Sequence, residues 1–130
     1  MKINTDYQLI EWFESKKILL QTWKISSNSL DQEQFKNEMI KLVALIESKR
    51  PLAIIINMTE FEFPVAPTTQ EWVNVYINSK IAQIACDKVA FVVSHDLFTK
   101  ISVEQTLKEA EAMAFESKYF KNIADAEKWV

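Results

Sequence analysis

His95 and Asp96 stand directly after the apolar run KVAFVVS. An imidazole titrates near neutral pH, which suits it to general-base work. The residues just past a buried strand are also where α/β sheets gather ligands. His95 is the one histidine of the chain, however, and adjacent loop residues do not converge on a common atom. The ordinary reading of the pair is a turn. Cys86 is the one cysteine. A nucleophilic thiol needs a neighbouring base or a helix N-terminus, whereas Cys86 follows a helical pattern and sits toward its C-terminal end, so it reads as a structural thiol. Thr68 and Thr69 open that same pattern, where a hydroxyl is a candidate phosphorylation or anion site. Its ordinary role there is helix capping. The carboxylate pairs Glu60/Glu62 and Glu109/Glu111 are spaced by two, which does not bring them together. The expectation is a non-catalytic protein with no metal and no cofactor.

A different kind of site is suggested by TEFEFPVAPTTQEW (59–72). Loops are usually polar, yet this one carries Phe61, Phe63, Pro64, Val65 and Pro67. Trp72 and Tyr76 follow one helical turn apart. The cluster either folds back over the core or presents a partner surface or pocket mouth.

The bulk composition narrows the function classes. The chain has 130 residues, 48% of them hydrophobic and 25% charged, enough for one globular domain spanning 1–130. A formal net charge of -3 argues against a nucleic-acid binder. No run approaches the roughly 18 apolar residues of a membrane span. The lone cysteine and a charged N-terminal stretch lead to the expectation of a soluble protein in a reducing, cytoplasmic compartment. There is no glycine at all. Dinucleotide-binding GxGxxG turns, Walker loops and GxSxG elbows are therefore excluded.

The elements that must position these residues follow from periodicity. YQLIEWFE (7–14) and KKILLQTWK (16–24) predict an antiparallel hairpin. ISSNS (25–29) is a loop, and Ser29 with Gln32 forms an expected capping box. Phe35, Met39, Leu42, Val43 and Ile46 recur at helical spacing, with Pro51 as the stop. LAIIINM (52–58) is continuously apolar and predicts a central strand with parallel neighbours. Thr59–Pro67 is a loop. Thr68 with Glu71 is a second expected capping box, opening a helix that carries Trp72, Val73, Tyr76, Ile77, Ile81, Ile84 and Ala85. Lys88–Ser94 is a further buried strand and HDLFTK a loop. Ser102 with Gln105 is a third expected capping box, opening a helix that carries Val103, Leu107, Ala110 and Ala114. SKYF is an edge strand, and NIADAEKWV a final helix capped by Asn122. The order ββαβαβαβα predicts an α/β fold with a mixed β-sheet covered by helices.

That order, together with the ending YFKNIADAEKWV, resembles the SpoIIAA-like proteins, which have a STAS-type fold also compared with the CRAL-TRIO lipid-binding fold. In the family an aromatic strand end leads into a short helix with alanine, tryptophan and a last hydrophobic residue. Phe120, Ala126, Trp129 and Val130 fill those places. IIINMTEFEF and KVAFVV resemble the family's buried strands. The layout matches over nearly the whole chain, and the C-terminal stretch is the specific part. The resemblance implies that the last helix is a structural lid whose tryptophan plugs one end of the core. Anti-sigma antagonists of this fold carry a phosphorylated serine in an Asp-Ser-Ser-Gly motif. Here the matching region reads INMTEFEF, with Asn57 and Thr59, so the resemblance implies the fold without the phosphoswitch.

Two functions are expected from this reading. The first is a protein-interaction or regulatory module, with a protein partner or self-association through loop 59–67 and the start of the next helix (Phe61, Phe63, Pro64, Val65, Trp72, Tyr76). The second is binding of a lipid or other small apolar ligand between the helices and the sheet.

Overall fold

The computed structural model describes residues 1–84, 86–95, 97 and 116–130. The helix expected from Ser102, with Gln105, Val103, Leu107, Ala110 and Ala114, lies outside them, as do Ala85, Asp96, Glu109 and Glu111. The described strands are β1 (Lys2–Asn4), β2 (Gln8–Phe13), β3 (Ile18–Trp23), β4 (Ala53–Asn57), β5 (Lys88–Val92) and β6 (Glu116–Phe120). The helices are α1 (Gln32–Lys49), α2 (Pro67–Gln83) and α3 (Ile123–Trp129).

The six strands form one mixed sheet in simple sequence order, β1-β2-β3-β4-β5-β6. The first two pairings are antiparallel and the last three parallel. β4 therefore has parallel neighbours on both sides, and Ala53, Ile54 and Ile55 are buried in succession because both faces of the strand are covered. β1 was not anticipated: three residues, KIN, are too few to show a period. Between β2 and β3 the chain turns with Lys17 at φ 54°, and α1 ends with Arg50 at φ 49°. Both are left-handed positions that glycine usually takes, filled here by side-chain-bearing residues because the chain has none.

α1 and α2 cover one face of the sheet. Ile10, Trp12, Leu19, Ile54 and Val89 from the strands meet Phe35, Met39, Leu42, Val43 and Ile46 of α1 and Ile77 and Ile81 of α2. α3 covers part of the other face, where Ala126 is buried with Ile55, Ala90 and Val92. Asn122 caps α3 as expected, its Oδ1 accepting from the Asp125 backbone at 2.8 Å. Trp129 is half-buried beside Phe120, with ring centroids 5.6 Å apart. Lys88 Nζ donates to the Trp129 carbonyl at 2.8 Å, a cation at a helix C-terminus.

The first two expected capping boxes are corrected. α1 is capped by Asp31, which accepts from the Gln34 backbone at 2.7 Å, while Gln34 Oε1 accepts from Asp31 N at 3.0 Å. Ser29 instead closes a 3-10 turn, Ile25–Ser29, its hydroxyl donating to the Ser26 carbonyl at 2.8 Å. The physical reason is Leu30. It is buried in the same core as Phe35, the pair standing at the staple positions on either side of an Asp31 cap. α2 has Ala66 at its cap, no side-chain cap, and Pro67 in its first turn. The fixed φ of proline preorganises that turn.

Candidate functional site

The carboxyl ends of β3 and β4 converge on an aromatic cluster. Trp23 ends β3 and stacks on Phe35 at 5.7 Å. Phe35 lies in the first turns of α1 and stacks on Phe63 at 4.9 Å. Phe61 closes the group, 5.0 Å from Trp23 and 6.3 Å from Phe63. The loop that delivers these two phenylalanines is fixed at several points. Asn57 Oδ1 accepts from the Thr59 backbone at 3.2 Å and from its hydroxyl at 2.8 Å. Ser27 Oγ, fully buried, accepts from Glu62 N at 3.1 Å. Gln32 Nε2 donates to the Pro64 carbonyl at 3.1 Å.

This geometry separates the expected partner-binding residues. Phe63 is 6% exposed and belongs to the core, and Phe61 is half-buried against it. Phe63 is therefore corrected from surface to core: Trp23 and Phe35 leave an apolar gap at the end of the sheet, and the loop fills it. Pro64 stays exposed and Val65 half-buried. Trp72 and Tyr76 stack on one another at 5.2 Å, half-buried on α2, with Lys36 Nζ 5.7 Å from the Trp72 ring. Two exposed apolar residues on these helices were passed over by sequence reasoning. Val75 is 67% exposed, and Ile40, one turn beyond Lys36 on α1, is 45% exposed. α2 is apolar on several sides, so periodicity alone does not say which of its apolar residues face out. The Thr68/Thr69 pair is split: Thr68 is exposed, and Thr69 is 3% exposed and turned into the structure.

Among the described residues the chemical candidates do not assemble. Among the described residues no group of three His, Cys, Asp or Glu is placed to hold a metal. His95 is exposed. Burial pushes the Cys86 thiol up to about 11, Asp87 adds to the rise, and the backbone of Lys88 opposes it. A thiol so shifted is protonated at neutral pH and is a poor nucleophile. Strand order matters too. α/β proteins bind ligands in the crevice where strand order reverses. Here β3 to β6 advance in one direction without reversal.

A cleft of about 450 Å³ lies elsewhere, lined by Lys16, Ile18, Leu52, Ala53, Asp87, Lys88, Glu127 and Val130. These residues cluster at the amino ends of the parallel strands, on the α3 side. The cleft is thus not the space between α1, α2 and the sheet that a buried apolar ligand would occupy. Among the described residues no helix is long and apolar enough to cross a membrane. Comparison with protein-family models, with curated proteins and with solved structures finds no match to this chain.

Proposed function

We propose that this chain is a non-catalytic interaction module with a STAS-like fold of the SpoIIAA-like kind. It docks a protein partner through the outer side of loop 59–67 and the first turns of α2. The observation that carries the reading is the apolar strip Trp72–Val75–Tyr76 on α2, with Val75 67% exposed. Aromatic residues that keep one side open on a rigid helix are typical anchors of docking surfaces. Pro64 and Val65 lead into α2, and the hydrogen bonds of Ser27, Gln32 and Asn57 fix the loop that carries them.

The test is a photo-crosslinking amino acid at position 75 in cells, with the same probe at exposed Lys2 as a control. A discrete adduct at 75, absent at 2 and lost when Tyr76→Ser is added, is the expected result. No adduct at 75, or the same adducts at both positions, overturns the assignment.

A further inference from the structure

Beneath α1 the apolar layer is interrupted by a buried polar cluster. Gln8 and Gln21 are both 0% exposed, and Glu38 of α1 is 4% exposed. Gln21 Nε2 donates to Gln8 Oε1 at 2.7 Å, and Gln8 Nε2 donates to the Glu38 carbonyl at 2.8 Å. The Glu38 carboxylate accepts from the Thr5 hydroxyl and, at 2.8 Å, from Lys41 Nζ. Thr5 Oγ1 itself accepts from the backbone of Tyr7 and of Gln8, each at 3.1 Å. Glu38 thus holds the start of β2 at two points, through its carbonyl and through its carboxylate.

Stability does not account for the glutamine pair. Gln21 Oε1 is buried and accepts no hydrogen bond. An unpaired buried acceptor is unfavourable, and replacing a buried polar pair by apolar groups of the same shape is often neutral or stabilising.

Strand register does account for it. The inward side chains of β2 and β3 stand opposite one another as Gln8–Trp23, Ile10–Gln21 and Trp12–Leu19. A slide of one residue turns all of them outward. A slide of two keeps every one inward, so the apolar pattern does not tell that pairing from the native one. The polar groups do. In the native register Gln8 and Gln21 are diagonal neighbours, a separation that long side chains span. Sliding β2 to set Trp12 opposite Gln21 parts the glutamines by four residues, about 13 Å along the strands, and leaves each amide without the other. Sliding it the other way, to set Gln8 opposite Gln21, leaves Glu14 and Ser15 as a two-residue turn. Such turns need positive φ and favour glycine or asparagine, and the chain has no glycine.

We propose that Gln8 and Gln21, anchored on Glu38, form a register lock that holds β2 against β3 and α1 in one pairing, and that the pair serves this purpose rather than stability.

The test is the double variant Gln8→Met/Gln21→Met, which keeps the side-chain shape and removes the polar atoms. Its thermal midpoint is expected to equal or exceed that of the wild type. Its amide NMR spectrum is expected to show a second set of cross-peaks for residues 8–13 and 18–23, with the cross-strand contact between Phe13 and Ile18 divided between two pairings. Gln8→Met alone strips Gln21 of its partner, so it lowers the midpoint below that of the double variant. A double variant that fails to fold, or melts below the wild type, overturns the proposal, because the pair is then a stabilising contact. A folded double variant with one set of cross-peaks and the wild-type pairing overturns it as well, because the apolar residues then set the register alone.

Discussion

Replacing Phe63 with alanine tests whether loop 59–67 is core or surface. The ring is 6% exposed, stacked on Phe35 at 4.9 Å and edge-on to Phe61 at 6.3 Å. Removing a buried phenylalanine costs about 3–5 kcal/mol, part from lost transfer of apolar surface and part from the cavity left behind. The upper half of that range applies if the site cannot collapse. Ser27, Gln32 and Asn57 pin the loop on both sides of Phe63, so it has little freedom to close over the gap. Domains of this size have a total stability of about 5–15 kcal/mol. The substitution therefore consumes a large share of it and lowers the melting temperature by about 10–20 °C. Urea unfolding followed by tryptophan fluorescence reads the loss as a lower midpoint at unchanged slope. Pro64→Ser, at an exposed neighbouring position, is the control and shifts stability by no more than about 0.5 kcal/mol. A loss below about 1 kcal/mol for Phe63→Ala would refute the reasoning, because it would mean the loop packs too weakly to count as core.

Two further outcomes follow from the same structure. Asp31→Ala removes the cap of α1 and costs about 0.5–2 kcal/mol, while Ser29→Ala stays within about 0.5 kcal/mol; equal losses in urea unfolding would remove Asp31 from the cap. The Cys86 thiol is raised from 9.0 to about 11 in the folded chain, so its contribution is fully present below pH 9 and is lost as pH climbs toward 11. Wild type should accordingly lose more stability than Cys86→Ala over that interval, and parallel pH curves for the two would contradict the burial of the thiol.

The elements that were legible in the sequence are those whose signal is local. α1 shows its 3.6-residue period over five core positions and stops before Pro51. β4 shows as an unbroken apolar run because both its faces are covered. Asn122 caps α3 where its neighbours place it. Features decided by distant residues were not legible. Nothing in ISSNSLDQ says that Leu30 will be drawn into the core, and that is what moves the cap from Ser29 to Asp31. Nothing in TEFEFP says that Trp23 and Phe35, dozens of positions upstream, leave room for two phenylalanine rings. The buried pair Gln8 and Gln21 reads as ordinary polar strand residues. In the fold Gln21 donates to Gln8 at 2.7 Å, and Gln8 donates on to the Glu38 carbonyl at 2.8 Å. That chain gives α1 a polar tie to β2 and β3 that no hydrophobic pattern encodes.

The aromatic cluster and the strand order bear jointly on function. In an α/β sheet the carboxyl edge of the parallel strands becomes a binding site when strand order reverses and two crossovers part there. This sheet advances β3-β4-β5-β6 without reversal, and the carboxyl edge beyond β3 and β4 is filled by Trp23, Phe35, Phe61 and Phe63. Among the described residues, the space beyond β3 and β4 is occupied by these packed aromatic rings. Exposed apolar surface remains at Val75, beside the half-buried Trp72 and Tyr76 on α2, and at Phe13 and Leu52 toward the opposite end of the strands. Exposed apolar and aromatic side chains on rigid elements are a common feature of docking surfaces. Docking is for that reason the function proposed for this chain.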